Sequence, residues 1–361
     1  MHSAEPAVPQ LWPLRQNASV LRWMRGSLRD FELTARQGSR WARVLADRVS
    51  YARDLAGYAF FNRIPSRPRN LSLEVTNRCN LVCVHCDRAA MTRTKKLMEW
   101  PLFERICLDA INFGIPKICL GWFGESLLHP QLPEMVAFAK KNGAKFVEFV
   151  TNGTLLTEER ARAVLSAGLD CIQISMDGFN KSTFEQIRLG ASYDEVVANT
   201  HRLLELRDKL RARTIVQLNF VCTKESIKEV RDFHRYWRKG VDRFYFLPFV
   251  GYESVHGMST MTAHRCQSKC YMLWYMIVAT VDGRAGVCCF GDPNLDLNVG
   301  NLRERSLKDV WNGPEIQRIR RIHFQKRFNE LPVCARCDLT SPYTRWAKHF
   351  LETYRRIYVG R

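Results

Sequence analysis

Between residues 71 and 250, short apolar runs alternate with longer stretches in which apolar positions recur every three or four residues. "LSLEVT" (71–76), "KICLGW" (117–122), "FVEFVT" (146–151), "DCIQIS" (170–175), "TIVQLNFVC" (214–222) and "RFYFLPF" (243–249) have the length and residue types of strands. Segments such as "LPEMVAFAKKN" and "TEERARAVLSAG" between them carry the helical period. Six such strand-helix units predict a parallel sheet with right-handed crossovers, closed as a partial barrel or open and doubly wound. In either case functional side chains belong at the C-terminal ends of the strands.

The pattern changes on both sides of this core. Leu21, Met24, Leu28 and Phe31, then Trp41, Leu45, Val49, Ala52, Ala56 and Ala59, predict two amphipathic helices, ended by Pro65 and Pro68. After about residue 262 no further strand-helix units follow, and Cys266, Cys270, Cys288, Cys289, Cys334 and Cys337 fall among turn signals and short helices. The expected organisation is a basic helical extension over 1–70, a core over 71–261, a cysteine-rich module over 262–342 and a C-terminal helix over 343–361.

Charge and cysteine usage narrow the setting. Residues 1–70 hold 12 Arg, no Lys and 5 acidic residues, and the chain carries a formal charge of +19. The first helices therefore either pack on the core with their arginines in water, or lie on an anionic membrane surface through residues 18–61. An organelle transit peptide is a third reading, against which the acidic residues count. The 13 cysteines are odd in number and no apolar leader follows the start, so a reducing, cytoplasmic location is expected, with any membrane contact peripheral at the inner surface. The longest apolar run, "YMLWYMIVATV" (271–281), is too short to span a bilayer and reads as a buried strand.

The sharpest chemical signal is "EVTNRCNLVCVHC", with Cys79, Cys83 and Cys86 just beyond the first strand. Three thiolates on one loop can converge on zinc or on an iron–sulfur cluster. Zinc wants a fourth ligand; His85 would have to fold back into a crowded loop, and Asp87 is a poor partner for thiolates. On a four-iron cluster, three thiolates leave one iron open for a reactive ligand. Cys107, Cys119, Cys171 and Cys222 fall inside predicted helices or strands and read as small core residues.

"CNLVCVHC" resembles the C-x3-C-x2-C motif of the radical S-adenosylmethionine (radical SAM) superfamily, placed as in that family after the first strand of a partial (β/α)6 TIM-like barrel. His85 stands where the family usually has an aromatic residue. The resemblance implies a [4Fe-4S] cluster on Cys79, Cys83 and Cys86 whose open iron binds S-adenosylmethionine, reductive cleavage to a 5′-deoxyadenosyl radical, and hydrogen abstraction from a substrate. "GWFGESLLHP" (121–130) resembles the family's glycine-glycine-glutamate segment, with Gly124 and Glu125 matching and Phe123 replacing the first glycine; a carboxylate there accepts hydrogen bonds from the methionine ammonium of S-adenosylmethionine, and a glycine lets the backbone come close. "TNGTLLT" and "ISMDG" resemble the segments closing the third and fourth strands, which makes Asn152 and Ser175 contacts to S-adenosylmethionine and Arg188 a partner for its carboxylate.

Cys270, Gly283 and Cys288 read C-x12-G-x4-C, followed by the C-x2-C of Cys334 and Cys337. This resembles the SPASM extension of many radical SAM enzymes in its shortened "twitch" form. It implies one auxiliary [4Fe-4S] cluster on Cys270, Cys288, Cys334 and Cys337; a zinc ribbon is the alternative, and Cys266 an alternative ligand. Cys289 is either a spare buried thiol or a catalytic one that gives a hydrogen atom or takes a proton near the substrate radical.

The expected enzyme is thus a radical SAM oxidoreductase or epimerase supplied by a reductant such as flavodoxin or ferredoxin. Peptide-modifying members often carry an N-terminal winged-helix-like domain, whereas residues 1–70 read as purely helical, so a small, carbohydrate-like substrate is favoured, anionic or lipid-linked given the basic N-terminus. A peptide maturase is the second hypothesis, and a non-catalytic zinc protein binding nucleic acid the third. No appended RNA-binding motif supports nucleic acid as a partner.

Overall fold

The computed structural model describes residues 64–223, 225–249, 269–289, 291–335 and 337. The two predicted helices within 18–61, Cys266 and the predicted C-terminal helix lie outside them. Six parallel strands form the core in chain order: β1 (Asn70–Leu73), β3 (Lys117–Cys119), β4 (Phe146–Thr151), β5 (Cys171–Ser175), β7 (Ile215–Cys222) and β8 (Arg243–Pro248). Between them run α1 (Trp100–Asn112), α2 (Leu132–Lys141), α3 (Glu158–Ser166), α4 (Lys181–Ile187), α5 (Tyr193–Lys209) and α6 (Val230–Trp237). This is the partial (β/α)6 barrel.

The helices form where caps and apolar faces coincide. Thr157 opens α3 by accepting the Arg160 N–H, and Ser192 opens α5 by accepting that of Glu195. Leu102, Phe103, Ile106, Cys107 and Ala110 make the buried stripe of α1. Strand alternation sets the rest. On β5 and β7, Ile172, Ile174, Val216, Leu218 and Phe220 are fully buried on the apolar side. Gln173, Ser175, Gln217 and Asn219 fall on the opposite, inner face, where Gln173 Oε1 accepts from Gln217 Nε2 and Asn219 Nδ2, each at 3.1 Å. The barrel therefore has a polar lumen. Cys107, Cys119, Cys171 and Cys222 are buried, as expected.

Two short strands, β2 (Val82–Cys83) and β6 (Arg188–Leu189), pair antiparallel and place Cys83 opposite Arg188. The run 271–281, read as one strand, divides into a 3-10 turn at Tyr271–Trp274 and β9 (Met276–Ala279). β9 pairs in parallel with β1, Leu71 against Ile277 and Leu73 against Ala279. It then turns through Asp282-Gly283 into β10 (Arg284–Gly286), which pairs with β11 (Gly300–Asn301). The cysteine-rich segment thus continues the barrel sheet at its β1 edge, giving a nine-stranded order β11-β10-β9-β1-β3-β4-β5-β7-β8. Helices α7 (Leu307–Asn312), α8 (Pro314–Phe324) and α9 (Pro332–Ala335) follow. Among the described residues, no helix is long and apolar enough to cross a membrane.

A buried ion pair joins the two segments. Glu74, fully buried just past β1, takes both arms of Arg93 at 2.8 and 2.7 Å and the Val281 N–H at 3.1 Å. Arg93 Nε also donates to Pro293 O at 2.6 Å, and its guanidinium lies over Trp122.

Candidate functional site

The loops leaving β1, β3, β4 and β5 meet at the C-terminal end of the barrel. Cys79, Cys83 and Cys86 all lie on the first, and the Cys86 N–H closes a turn onto Cys83 O at 3.2 Å. Their thiols are within electrostatic reach of one another. Burial pushes Cys83 up to about 11, against the pull of Arg188 and reinforced by Cys86, Asp177 and Cys79; burial also raises Cys86. Thiols in this state are protonated at neutral pH and must release protons to bind metal.

The other loops hold this one in place. Gly124 has φ +98°, and a Cβ on it would lie 2.4 Å from Thr76 O and 2.8 Å from Arg78 O. Only glycine lets the two loops touch so closely. Next to it, the Glu125 N–H donates to Arg78 O at 2.8 Å. The Glu125 carboxylate is buried and accepts from Thr151 Oγ1 (2.7 Å), Asn152 N (2.7 Å) and Leu127 N (3.1 Å). Burial raises its pKa, with these donors opposing. Asn152 Nδ2 in turn donates to Asn80 Oδ1 at 2.9 Å and approaches Cys79 Sγ at 3.9 Å. Glu125 and Asn152, read from sequence as contacts to S-adenosylmethionine, here tie the β3 and β4 loops to the cysteine loop. Ser175 sits at the end of β5, partly exposed, and shares the lumen face with Gln173.

Arg188 is buried with its Nη2 2.6 Å from Asp177 Oδ2 and its Nη1 3.8 Å from Cys83 Sγ. The contact to Asp177 is ionic, with the oxygen outside hydrogen-bond alignment. Burial works against the Arg188 charge, but Asp177 and the thiols of Cys83 and Cys86 outweigh it and raise its pKa. His85 Nε2 is 3.3 Å from the same Asp177 oxygen, and burial pushes His85 down to about 4 despite Asp177. Spacing alone did not single out Asp177; a carboxylate directly after an apolar strand was its one signal. His85 Nδ1, Arg188 Nε and Trp122 Nε1 are buried beside this loop without hydrogen-bond partners. Three coupled thiols next to orphaned polar atoms fit a polar, metal-bearing ligand.

The second thiol group gathers in a similar way. The Cys337 N–H donates to Cys334 O at 3.1 Å, repeating the turn at Cys83 and Cys86. Burial pushes the Cys289 thiol well up, reinforced by Cys288, Cys270 and Cys337, although the residue as a whole keeps some exposure. β10 ends at Gly286, so Cys288 and Cys289 lie on the turn that follows it. His323, missed in the sequence, bridges Cys270 and Cys334: its Nδ1 accepts the Cys270 N–H at 3.2 Å and its Nε2 is 3.3 Å from Cys334 Sγ. Burial pushes its pKa down to about 4. The signal for His323 was its place on the apolar face of α8. Among the described residues, no three His, Cys, Asp or Glu side chains are grouped to hold a single metal ion.

A cysteine loop at the mouth of a partial barrel, followed by a segment that adds strands to the same sheet and carries a second thiol group, agrees with a radical SAM domain followed by an auxiliary cluster domain. Residues 73–245 match the radical SAM superfamily model and residues 270–338 match an iron–sulfur cluster-binding domain, SPASM. The chain carries a radical SAM domain followed by a SPASM domain, and these imply [4Fe-4S] clusters.

Over 171 residues the chain is 29% identical to a probable GTP 3′,8-cyclase of Methanococcus maripaludis, covering 46% of this chain and 55% of the relative. Over 172 residues it is 31% identical to the tungsten-containing aldehyde ferredoxin oxidoreductase cofactor-modifying protein of Pyrococcus furiosus, covering 46% and 47%. The chain spans about half the length of these relatives. Its fold is similar to BtrN in complex with AdoMet and 2-DOIA (TM-score 0.52, 17% identity, 76% and 94% covered). It is also similar to SuiB of Streptococcus suis bound to the precursor peptide SuiA (0.59, 15%, 76% and 72%).

Proposed function

We propose that this chain is a radical SAM enzyme that oxidises or epimerises a small, polar, carbohydrate-like substrate, with the SPASM cluster as electron acceptor or relay. The observation that carries the reading is the parallel pairing of β9 with β1, which joins the segment between Cys270 and Cys288 to the strand that leads to Cys79, Cys83 and Cys86. When bound, the first cluster and S-adenosylmethionine supply a radical that abstracts hydrogen. Cys79, Cys83 and Cys86 hold that cluster, and Cys270, Cys288, Cys334 and Cys337 the other. Gly124, Glu125 and Asn152 brace the first loop, while Arg188, held by Asp177, keeps a positive charge against Cys83. Ser175 and the amides of the lumen offer hydrogen bonds to a polar substrate. Cys289, whose thiol pKa burial pushes well up, is suited to returning a hydrogen atom.

The GTP cyclase relatives support an anionic substrate, and the basic segment 18–61 is the proposed lipid contact. The test is anaerobic reconstitution followed by dithionite and S-adenosylmethionine. About eight irons per chain, two four-iron clusters, with 5′-deoxyadenosine formed is the expected result. Zinc with no deoxyadenosine overturns the enzyme reading. Turnover of a short precursor peptide, with none of sugars or aminocyclitols, overturns the substrate class in favour of a peptide maturase.

A further inference from the structure

His323 is 1% exposed on the inner face of α8. Its Nδ1 accepts the Cys270 N–H at 3.2 Å. A ring nitrogen that accepts carries no proton, so in the neutral ring the proton is on Nε2. That nitrogen is 3.3 Å from Cys334 Sγ, which makes the contact an N–H donating to sulfur. The ring has little freedom to turn away. α8 is pinned by Arg320, whose Nε donates to Leu273 O at 3.1 Å and Nη1 to Trp311 O at 3.0 Å, and Phe328 packs edge-on against the imidazole.

We propose that His323 is a positioning residue of the auxiliary cluster: its Nε2–H donates to the Cys334 ligand sulfur and raises the potential at which that cluster accepts an electron. The inference rests on the assignment of Cys270, Cys288, Cys334 and Cys337 as ligands. Reduction adds one electron and leaves more negative charge on the thiolate sulfurs, so a fixed donor stabilises the reduced state more than the oxidised one. No proton is exchanged, because the same nitrogen keeps its hydrogen in both states.

The test uses the full chain with Cys79, Cys83 and Cys86 changed to Ala, so that only the auxiliary cluster gives a signal. Iron is counted and the midpoint potential is read by paramagnetic resonance in that parent and in its His323→Leu and His323→Gln derivatives. Leu should lower the reduced-to-oxidised ratio at a fixed potential about tenfold, which is about 59 mV for one electron. Gln, which retains an N–H, should recover most of it. In ¹⁵N-histidine protein, pulsed resonance should show a weakly coupled histidine nitrogen that disappears in His323→Gln. A parent without about four irons overturns the ligand assignment itself. A cluster with no histidine coupling, or Leu and Gln derivatives both at the parent potential or both equally low, overturns the role of His323 and leaves the ligands standing. If Leu prevents assembly, the Gln derivative and the histidine coupling decide.

Discussion

Changing Gly124 to Ala tests whether contact between two loops shapes the first cluster site. The added Cβ meets Thr76 O at 2.4 Å and Arg78 O at 2.8 Å, whereas ordinary Cβ contacts begin near 3.4 Å. Both obstacles are backbone, so about 1 Å of main-chain movement is needed, which costs about 1–3 kcal/mol as overpacking does elsewhere. The φ of +98° adds about 1–2 kcal/mol for a residue with a side chain. Gly143 supplies an internal control: its φ is +96°, yet nothing lies within 4 Å of its Cβ. Gly143→Ala should therefore show the dihedral cost alone, and Gly124→Ala should lose about 1–3 kcal/mol more. The segment that must move, Thr76 to Arg78, runs directly into Cys79, so Gly124→Ala should also lower iron retained at the first site. Urea midpoints and iron content measured side by side decide the matter. Equal midpoints and equal iron in the two variants would refute the claim that this contact positions the cysteine loop.

Cys83→Ala should abolish 5′-deoxyadenosine formation, whereas Cys334→Ala should keep part of it and lose substrate turnover; full activity in both variants would remove the ligand assignments. Arg93→Met leaves Glu74 buried without its partner and should cost about 3–5 kcal/mol in unfolding free energy. Adding Glu74→Leu to it should restore much of that loss, as urea unfolding of the double variant would show. Glu229 accepts from Phe179 N, Asn180 N and Thr183 Oγ1; burial raises its pKa but these donors outweigh it and hold it below the usual carboxylate value of 4.5. Its contribution is therefore present above pH 4.5 and lost as pH falls through the lower folded value. Glu229→Gln should flatten that acid limb of the urea midpoint against pH.

The parts legible in the sequence were those whose signal is local. "FVEFVT" became β4 from Phe146 to Thr151 because its alternation and its buried face coincide. "LSLEVT" ran three residues past the end of β1, since Glu74, Val75 and Thr76 stay buried after they leave the ladder, and an apolar pattern reports burial rather than pairing. The parallel pairing of β9 with β1 joins segments about two hundred residues apart and has no local trace. β2 and β6, two residues each, are too short for any period to show. The cysteines stood out by spacing, but their partners did not: His323 meets Cys270 across 53 positions and Asn152 meets Asn80 across 72.

Family resemblance aimed Glu125 and Asn152 at a bound ligand, and the structure shows why the same residues are needed before any ligand arrives. Glu125 receives donors from the β4 loop through its carboxylate and gives its own N–H to Arg78 O in the cysteine loop. Asn152 completes the circuit by donating to Asn80. Three loops thus share one closed set of hydrogen bonds, and Glu125, Thr151 and Asn152 are buried, where an unmatched group costs about 1–3 kcal/mol. Because these bonds lie at the barrel mouth and not between the strands, loosening one should leave the β-sheet intact while the three thiols lose their common orientation. Glu125→Gln should behave this way: either orientation of its amide sets an N–H against the backbone N–H of Leu127 or Asn152. Far-ultraviolet circular dichroism should be unchanged while iron at the first site falls. A variant that kept its iron would show that the thiols hold the cluster without help from the neighbouring loops.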